Sequence, residues 1–343
     1  MARTERRRRR MTASLRAALA TLLLLAAAVP VLAVSVLAGP ALAREFRAAD
    51  AQPADYPTVQ GLRLMAGLVH ERSGGRHSIR VFDSAQLGQE VDTVGMTRAG
   101  VIDLDRLNIA TFNDSLPETI VPALPYLFRD EDHLRRVLDG PVGAAILAAF
   151  SRLDMVALAF FETSPRSFYT VNAPLRTPAD FRGLRLRVLP TRVIGAMVET
   201  LGATAVYLPF RQVTTALTTG LIDGAENTWP SYRGVGHARL AKYYTLTRHT
   251  YSPSALLMSR RSWDGLDAAD RELFRTAARE AAETVHRLGL ARDAEARAAA
   301  AADGITVVEA DGAALAAAVR PVYDTFAADP VVRELLARVR EVP

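Results

Sequence analysis

The feature that most constrains the fold of this chain is a regular alternation of short β-like runs with amphipathic helical runs along most of its length. His77–Phe82 alternates in the way a half-buried strand does, whereas Thr58–Arg72 places Leu62, Met65 and Val69 on one helical face. Such alternation is typical of α/β architecture, in which helices pack on the faces of a sheet. A length of 343 residues predicts two domains or one bilobal unit.

The other elements follow the same rhythm. The predicted strands are Glu45–Ala48, His77–Phe82, Val101–Ala110, Val156–Phe161, Leu184–Val188, Ala203–Tyr207, a short run ending at Asn227, and Gly304–Val308. The predicted helices are Thr58–Arg72, Glu90–Arg98, Glu131–Phe150, one starting at Thr177, Thr191–Leu201, Phe210–Thr219, Ala268–Ala302 and Ala313–Arg338. The helix over 268–302 is too long for one lobe, so we expect it to brace both.

The N-terminus has the layout of an export signal. The arginine run Arg6–Arg10 precedes an apolar stretch, Leu15–Leu37, and a small-residue segment that ends in Ala41-Leu42-Ala43. This order predicts a signal peptide over residues 1–43, cleaved near Ala43, and a periplasmic protein. An uncleaved membrane anchor is the alternative, and both the general and the twin-arginine export routes stay open.

The basic charge of the chain lies in this leader. Of the 42 basic and 37 acidic side chains, 7 and 1 fall in residues 1–43, which leaves 35 against 36 in the rest of the chain. A nearly neutral body argues against nucleic-acid binding, which needs a basic patch on the folded domain. The absence of cysteine excludes disulfides, thiolate metal sites and a lipid anchor.

The sequence contains no motif that predicts a cofactor or a catalytic centre. It lacks a glycine-rich phosphate loop, a G-x-S-x-G turn and histidine pairs at metal-ligand spacing. Asp103 and Asp105 alternate on a probable strand and could bind a metal, but such a pair is more often a solvated strand face. We therefore expect no cofactor and no metal.

Two arginines are candidate anion-binding groups. Arg166 follows an apolar strand, where side chains often face a ligand crevice, although an arginine at that place is as often on the surface. Arg187 alternates with leucine in Gly183–Val188, so a charged row lies on one face of a strand. On an internal strand that row needs an anionic partner, and a guanidinium offers a bidentate fork to a carboxylate. Solvated arginines on an edge strand are the alternative.

The segment Asp223–Pro230 is the most unusual stretch of the chain. A tight turn leads into a short run that carries Asn227, whose amide both donates and accepts, as an oxygen-rich ligand requires. Trp229 offers a flat apolar wall. The alternative is that Asn227 only caps the next helix.

These segments together resemble the substrate-binding proteins of tripartite ATP-independent periplasmic (TRAP) transporters, of the DctP type. The matching block stands here without gaps as Gly183–Val188, Leu201-Gly202-Ala203, Pro209-Phe210, Ala216–Gly220 and Asp223–Asn227. The resemblance implies an α/β, bilobal periplasmic-binding-protein-like fold with a hinge and a long helix spanning both lobes. It assigns 44–164 with about 253–292 to the first lobe, and 165–252 with about 293–343 to the second, with the ligand in the cleft between them.

The resemblance also implies roles for individual residues. The arginine matching Arg187 clamps the ligand carboxylate in the family, and those matching Arg166 and Asn227 add contacts. Carried over by position, Glu90, Asn108, Phe210 and His249 also fall in the cleft, and Gln52 is the candidate for the polar residue that many relatives carry in the loop after the first strand. Trp229 is expected to bind the ligand as an apolar wall of the pocket. No residue is expected to be catalytic.

The expected function is a non-catalytic receptor that delivers a small carboxylate to a membrane permease and acts as a monomer. Asn108 and Pro190 stand where sialic-acid binders of the family carry an acid and an asparagine, which disfavours that ligand. Uronates or aldonates are favoured, and C4-dicarboxylates remain the alternative. A sugar-acid hydrolase or lyase using Glu90 and His249, or a sensor lobe, are hypotheses of another class.

Overall fold

The computed structural model describes residues 44–161 and 164–343, of which 45–343 form one compact unit. The predicted signal peptide lies outside the described residues. Within the described ranges, no helix combines the length and the apolar composition needed to cross a bilayer. The chain builds two mixed sheets with helices packed around them, so the fold is α/β and bilobal.

The first sheet has the order β2-β1-β3-β10-β4, in which β1 and β3 are parallel and β10 is antiparallel to both of its neighbours. Its strands are β1 (Arg44–Ala49), β2 (His77–Phe82), β3 (Leu104–Asn108), β4 (Met155–Phe161) and β10 (Ser254–Ser259). Helices α1 (Pro57–Arg72), α2 (Glu90–Arg98), α3 (Glu131–Asp139), α4 (Pro141–Ala149) and α8 (Arg260–Asp264) belong to the same part of the chain.

The second sheet has the order β11-β9-β5-β8-β6-β7, with β6 parallel to β7 and β8, and β5 antiparallel to β8 and β9. Its strands are β5 (Arg166–Thr170), β6 (Arg185–Val188), β7 (Thr204–Tyr207), β8 (Gly224–Asn227), β9 (Tyr243–Thr250) and β11 (Thr306–Glu309). Its helices include α5 (Arg192–Thr200), α6 (Val213–Thr218) and α7 (Trp229–Gly234).

The chain passes between the two sheets at short connections, from β4 to β5 and from β9 back to β10. The long helix α9 (Ala268–Ala299) starts at the capping carboxylate of Asp267 and packs on α1 beside the first sheet and on α7 beside the second. Helices α10 (Gly312–Ala318), α11 (Arg320–Phe326) and α12 (Pro330–Glu341) close the chain; α11 packs on α5 and α12 on α4.

Two predicted helices are divided in the structure. The run 131–150 breaks at Gly140, because Asp139 ends α3 and Pro141, which has no amide hydrogen, begins α4. The run 313–338 becomes three helices, since new helices begin at Arg320, with Pro321 in its first turn, and at Pro330. The element predicted to start at Thr177 is a single 3₁₀ turn, Pro178–Phe181.

Candidate ligand-binding cavity

A cavity lies between the two sheets, where the loop after β1, the N-terminus of α2 and the end of β3 face the ends of β6 and β8. Its lining side chains come from both sheets and their loops. They are Ala51, Gln52, Tyr56, Gln89, Glu90, Val91, Arg106, Asn108, Thr111, Arg166, Arg187, Leu189, Pro190, Pro209, Phe210, Asn227, Thr228, Ser231 and Ser254. Three arginines therefore meet in one small space.

Arg187 is a buried cation without a carboxylate partner. Its strand β6 lies inside the sheet, between β8 and β7, so the side chain is only 1% exposed. Its Nε and Nη2 donate to the backbone oxygen of Leu208, at 2.9 and 2.8 Å, and it forms no ion pair with any described residue. Burial lowers the pKa of this guanidinium, which nonetheless stays charged at neutral pH.

Arg185, two residues before Arg187 on β6, is in contrast exposed and paired. It lies at the solvent end of β6, where its Nη2 donates to Asp223 at 2.8 Å and its side chain is 47% exposed. The predicted row of two arginines is thus one surface ion pair and one buried, unpaired group.

Arg166 lines the cavity but is already neutralised. Its Nε and Nη2 donate to the carboxylate of Glu226, the second at 2.9 Å, and its Nη1 donates to Asn227 Oδ1 at 3.0 Å. Glu226 is fully buried; burial alone would raise its pKa, but Arg166 and the nearby His249 lower it to about 2. Glu226 also accepts from the backbone amide of Leu189 at 2.8 Å. The expected contribution of Arg166 to anion binding is therefore reduced by an internal partner.

Glu226 was not among the predicted site residues, although it precedes Asn227 in the motif that predicted the site. The signal that could have revealed it is its position on a short internal strand, where a carboxylate needs a cationic partner.

Arg106 is the third cavity arginine, and sequence reasoning missed it. It lies on β3, where its Nη1 donates to Glu90 Oε1 at 2.6 Å and its Nη2 donates to the buried Asp50. Burial opposes the charge of this guanidinium, but the two carboxylates raise its pKa above the ordinary value. As ionised groups, Asp50, Glu90 and Arg106 together carry one negative charge.

Four further predicted residues line the cavity: Gln52, Asn108, Phe210 and Asn227. The side chain of Asn108 is largely used within the protein. Its Oδ1 accepts from the Ala110 amide and from Ser252 Oγ, both at 3.0 Å. Its Nδ2 donates to the backbone oxygen of Ser252 at 2.8 Å. Asn108 thus holds the crossover into β10 as well as facing the cavity.

Trp229 and His249 do not line the cavity, in contrast to the expectation. Trp229 is the first residue of α7 and points into the core, where its ring stacks on Tyr244 at 3.7 Å between centroids. His249 is fully buried behind Glu226, with its ring 4.5 Å from that of Phe168. Burial lowers the pKa of His249. The acid–base pair considered for an enzyme, Glu90 with His249, is consequently not assembled in the cavity.

The aspartates considered as a metal site are structural. Asp103 accepts from Ser262 Oγ at 2.6 Å and from the Arg47 amide at 2.8 Å, and Asp105 accepts from Thr97 Oγ1 at 3.1 Å. Both are buried, so the interpretation as a solvated strand face is wrong. Among the described residues, no cluster of acidic and histidine side chains has the arrangement of a metal site.

Comparison with known proteins identifies relatives of the whole described region. The family model for bacterial extracellular solute-binding proteins, family 7 (DctP), matches residues 48–329. A solute-binding protein of Chromohalobacter salexigens is 31% identical over 303 residues, which are 88% of this chain and 90% of that protein.

Solved structures agree with this family. A TRAP periplasmic solute-binding protein from Bradyrhizobium, in complex with galacturonate, is 40% identical with a TM-score of 0.85, over 87% of this chain and all of that one. A homologous protein from Roseobacter denitrificans with bound glucuronate is 31% identical with a TM-score of 0.85, over 88% of this chain and all of that one.

Proposed function

The chain belongs to family 7 of the bacterial extracellular solute-binding proteins, the receptors of TRAP transporters, and we propose that its ligand is a hexuronate or a related aldonate whose carboxylate pairs with Arg187. As a receptor it works with a membrane permease and is not an enzyme. The observation that carries the proposal is the buried guanidinium of Arg187, which faces the cavity and forms no ion pair with the described residues. An uncompensated buried charge is unfavourable until an anion neutralises it.

The charges around the cavity favour a ligand with one carboxylate and several hydroxyls. Arg187 carries one positive charge, Arg166 with Glu226 is neutral, and Arg106 with Asp50 and Glu90 carries one negative charge. A carboxylate pairs with Arg187, while ligand hydroxyls donate to Glu90. A second carboxylate would meet that negative group without a free cation, which disfavours C4-dicarboxylates and aldarates.

The relatives support the same class of ligand, because the structures from Bradyrhizobium and Roseobacter denitrificans hold galacturonate and glucuronate. The proposal also includes the division into lobes, 44–164 with about 253–292 and 165–252 with about 293–343, and a monomeric receptor. The family is periplasmic; removal of residues 1–43 near Ala43 is part of the proposal.

Replacing Arg187 by glutamine tests the clamp. The amide can still donate to the Leu208 oxygen but has no charge, so D-galacturonate affinity should fall by at least about 30-fold, the effect of removing one partner of a buried charge pair. The measurement is isothermal titration calorimetry with D-galacturonate, D-glucuronate, succinate and galactarate.

The matched control is Arg185→Gln, two residues earlier on the same strand, where the guanidinium is exposed and paired with Asp223. This variant should bind uronates as the unmodified protein does. Unchanged affinity in Arg187→Gln would refute the clamp, and tighter binding of succinate than of either uronate would favour the dicarboxylate alternative.

A further inference from the structure

A second and larger cavity adjoins the ligand cavity. It has a volume of about 340 Å³ and lies between the loop 52–57, helix α7, the 3₁₀ turn His237–Arg239 and the last third of α9. We call it the outer cavity. A volume of this size is within the range of small-molecule sites.

The two cavities share a wall made of Gln52, Tyr56 and Ser231, which line both. The Tyr56 hydroxyl lies 3.3 Å from Thr228 Oγ1 and accepts from Ser231 Oγ at 3.2 Å. Both distances are long for hydroxyl pairs, so a modest rotation of Tyr56 breaks weak bonds only. Gln52 Oε1 is buried and has no hydrogen-bond partner among the described residues. It is therefore an acceptor available to a ligand hydroxyl at the junction.

The outer cavity carries one net positive charge, because four basic side chains line it against three carboxylates, Asp55, Glu295 and Asp303. Arg233 pairs with Asp303 at 2.6 Å, and Arg292 lies 3.6 Å from Asp55 and 3.5 Å from Glu295. Arg239 and Lys242 also line the cavity, and neither forms an ion pair within residues 44–161 and 164–343. Lys242 Nζ donates one hydrogen bond, to the Asp303 backbone oxygen at 2.9 Å, so two of its three donors remain for a ligand.

We propose that the outer cavity is a subsite for the second sugar of an acidic disaccharide, so that the receptor accepts linked diuronides as well as single uronates. The first uronate occupies the ligand cavity, the linkage passes beside Tyr56 and Gln52, and the second carboxylate lies near Arg239 and Lys242. This inference rests on the proposed function and extends its ligand class.

The test is calorimetry on the full receptor with α-1,4-linked digalacturonate and with D-galacturonate. We expect one disaccharide to bind per chain. In the double variant Arg239→Met with Lys242→Met, disaccharide affinity should fall about tenfold, the loss expected for two partly exposed charge pairs, while monosaccharide affinity stays unchanged. The unchanged monosaccharide affinity also reports that the variant is folded. The control Arg287→Met removes an exposed arginine of α9 that lines neither cavity and should change neither affinity.

Three outcomes would overturn the inference. One is a receptor that binds galacturonate but not digalacturonate, which leaves the proposed function intact. Another is binding of two galacturonates per chain with an affinity for digalacturonate no higher than that for galacturonate, which would make the outer cavity a separate anion site. The third is an equal loss of both ligands in the double variant. If neither sugar acid binds the unmodified protein, the proposed function itself fails and this inference fails with it.

Discussion

At the scale of single residues, Asp105 is a buried acid that the proposed binding chemistry does not use. It lies on β3 beside Arg106, is 1% exposed, and accepts from Thr97 Oγ1 at 3.1 Å. Burial raises the pKa of its carboxyl to about 8, so the folded protein holds it protonated at neutral pH. Folding must therefore neutralise a group that is ionised in the unfolded chain, and that cost grows with pH.

Asp105→Asn should make the protein more stable at pH 8 and leave its stability at pH 4 nearly unchanged. The folded pKa lies above the ordinary value of 3.8, so the contribution of Asp105 to the free energy of unfolding falls as pH rises from about 4 to about 8. Each unit of pKa shift corresponds to about 1.4 kcal/mol, which places the gain on the order of a few kcal/mol. Thermal unfolding across this pH range measures it. The control is Asp324→Asn, at an exposed aspartate. If the difference in melting temperature between Asp105→Asn and the unmodified protein is the same at every pH, the prediction is wrong.

A site residue could be predicted from the sequence where its own strand or motif gave the reason, without knowledge of its partners in space. Arg187 stood out because a charge on an internal strand needs a partner, and the structure has it buried at the cavity. Arg106 and Asp50 escaped notice, since they become a pair only when β1 and β3 lie side by side. Trp229 was expected in the wall because it is near Asn227 in sequence, but one helical step at the start of α7 turns its ring into the core.

At the scale of elements, the contact between α1 and α9 depends on a glycine. A Cβ built on Gly61 would lie 2.3 Å from Val285 Cγ2 and 3.4 Å from the Ala281 oxygen of α9. Val285 is fully buried, and its branched side chain has few rotamers to move into. The two helices can therefore approach this closely only because Gly61 has no side chain. The position of α9 beside the first sheet depends on the same contact.

Gly61→Ala should destabilise the protein even though alanine is the better helix former. Alanine gains up to about 1 kcal/mol of helix propensity, but overpacking of a filled core typically costs about 1–3 kcal/mol. Gly67→Ala, on the exposed face of the same helix with no atom within 4 Å of the added Cβ, should instead stabilise. Urea unfolding of both variants measures the two signs. If the Gly61→Ala protein is as stable as the Gly67→Ala protein, α1 and α9 can move apart to admit the methyl group without a loss in the free energy of unfolding, and the prediction is wrong.

Element prediction succeeded where periodicity was clear and failed where it was not. His77–Phe82 and Glu90–Arg98 have the bounds expected from their patterns. Strands β5, β9 and β10 were missed, because most of their residues are buried on both faces and their serine, threonine and histidine side chains give no alternation. The divided helices show that Gly140 and the prolines after 320 outweigh an uninterrupted apolar pattern.

At the scale of the whole molecule, the two sheets are joined by covalent crossovers, by α9 and by hydrogen bonds across the cleft. Tyr56 follows β1 of the first sheet, whereas Thr228 and Ser231 follow β8 of the second. Their hydroxyl cluster is buried beside the ligand cavity. A ligand that binds both sheets favours closure only by its higher affinity for the closed state. We propose that the Tyr56 contacts, which join residues after β1 to residues after β8, stabilise that same state.

Tyr56→Phe should therefore weaken uronate binding through faster dissociation. Phenylalanine keeps the ring but removes the contacts to both hydroxyls, while Thr228 still caps α7 through the Ser231 amide. Loss of about 1 kcal/mol of net hydrogen bonding shifts the open–closed equilibrium about fivefold, and the ligand must make up that difference when the cleft closes. Stopped-flow measurement with D-galacturonate should show a dissociation rate about fivefold higher and a nearly unchanged association rate.

Tyr207→Phe, at a half-exposed tyrosine on β7 that lines neither cavity, should leave both rates unchanged. If dissociation from Tyr56→Phe is as slow as from the unmodified protein, the hydroxyl cluster does not stabilise the closed state, and the crossovers and α9 must set the equilibrium alone.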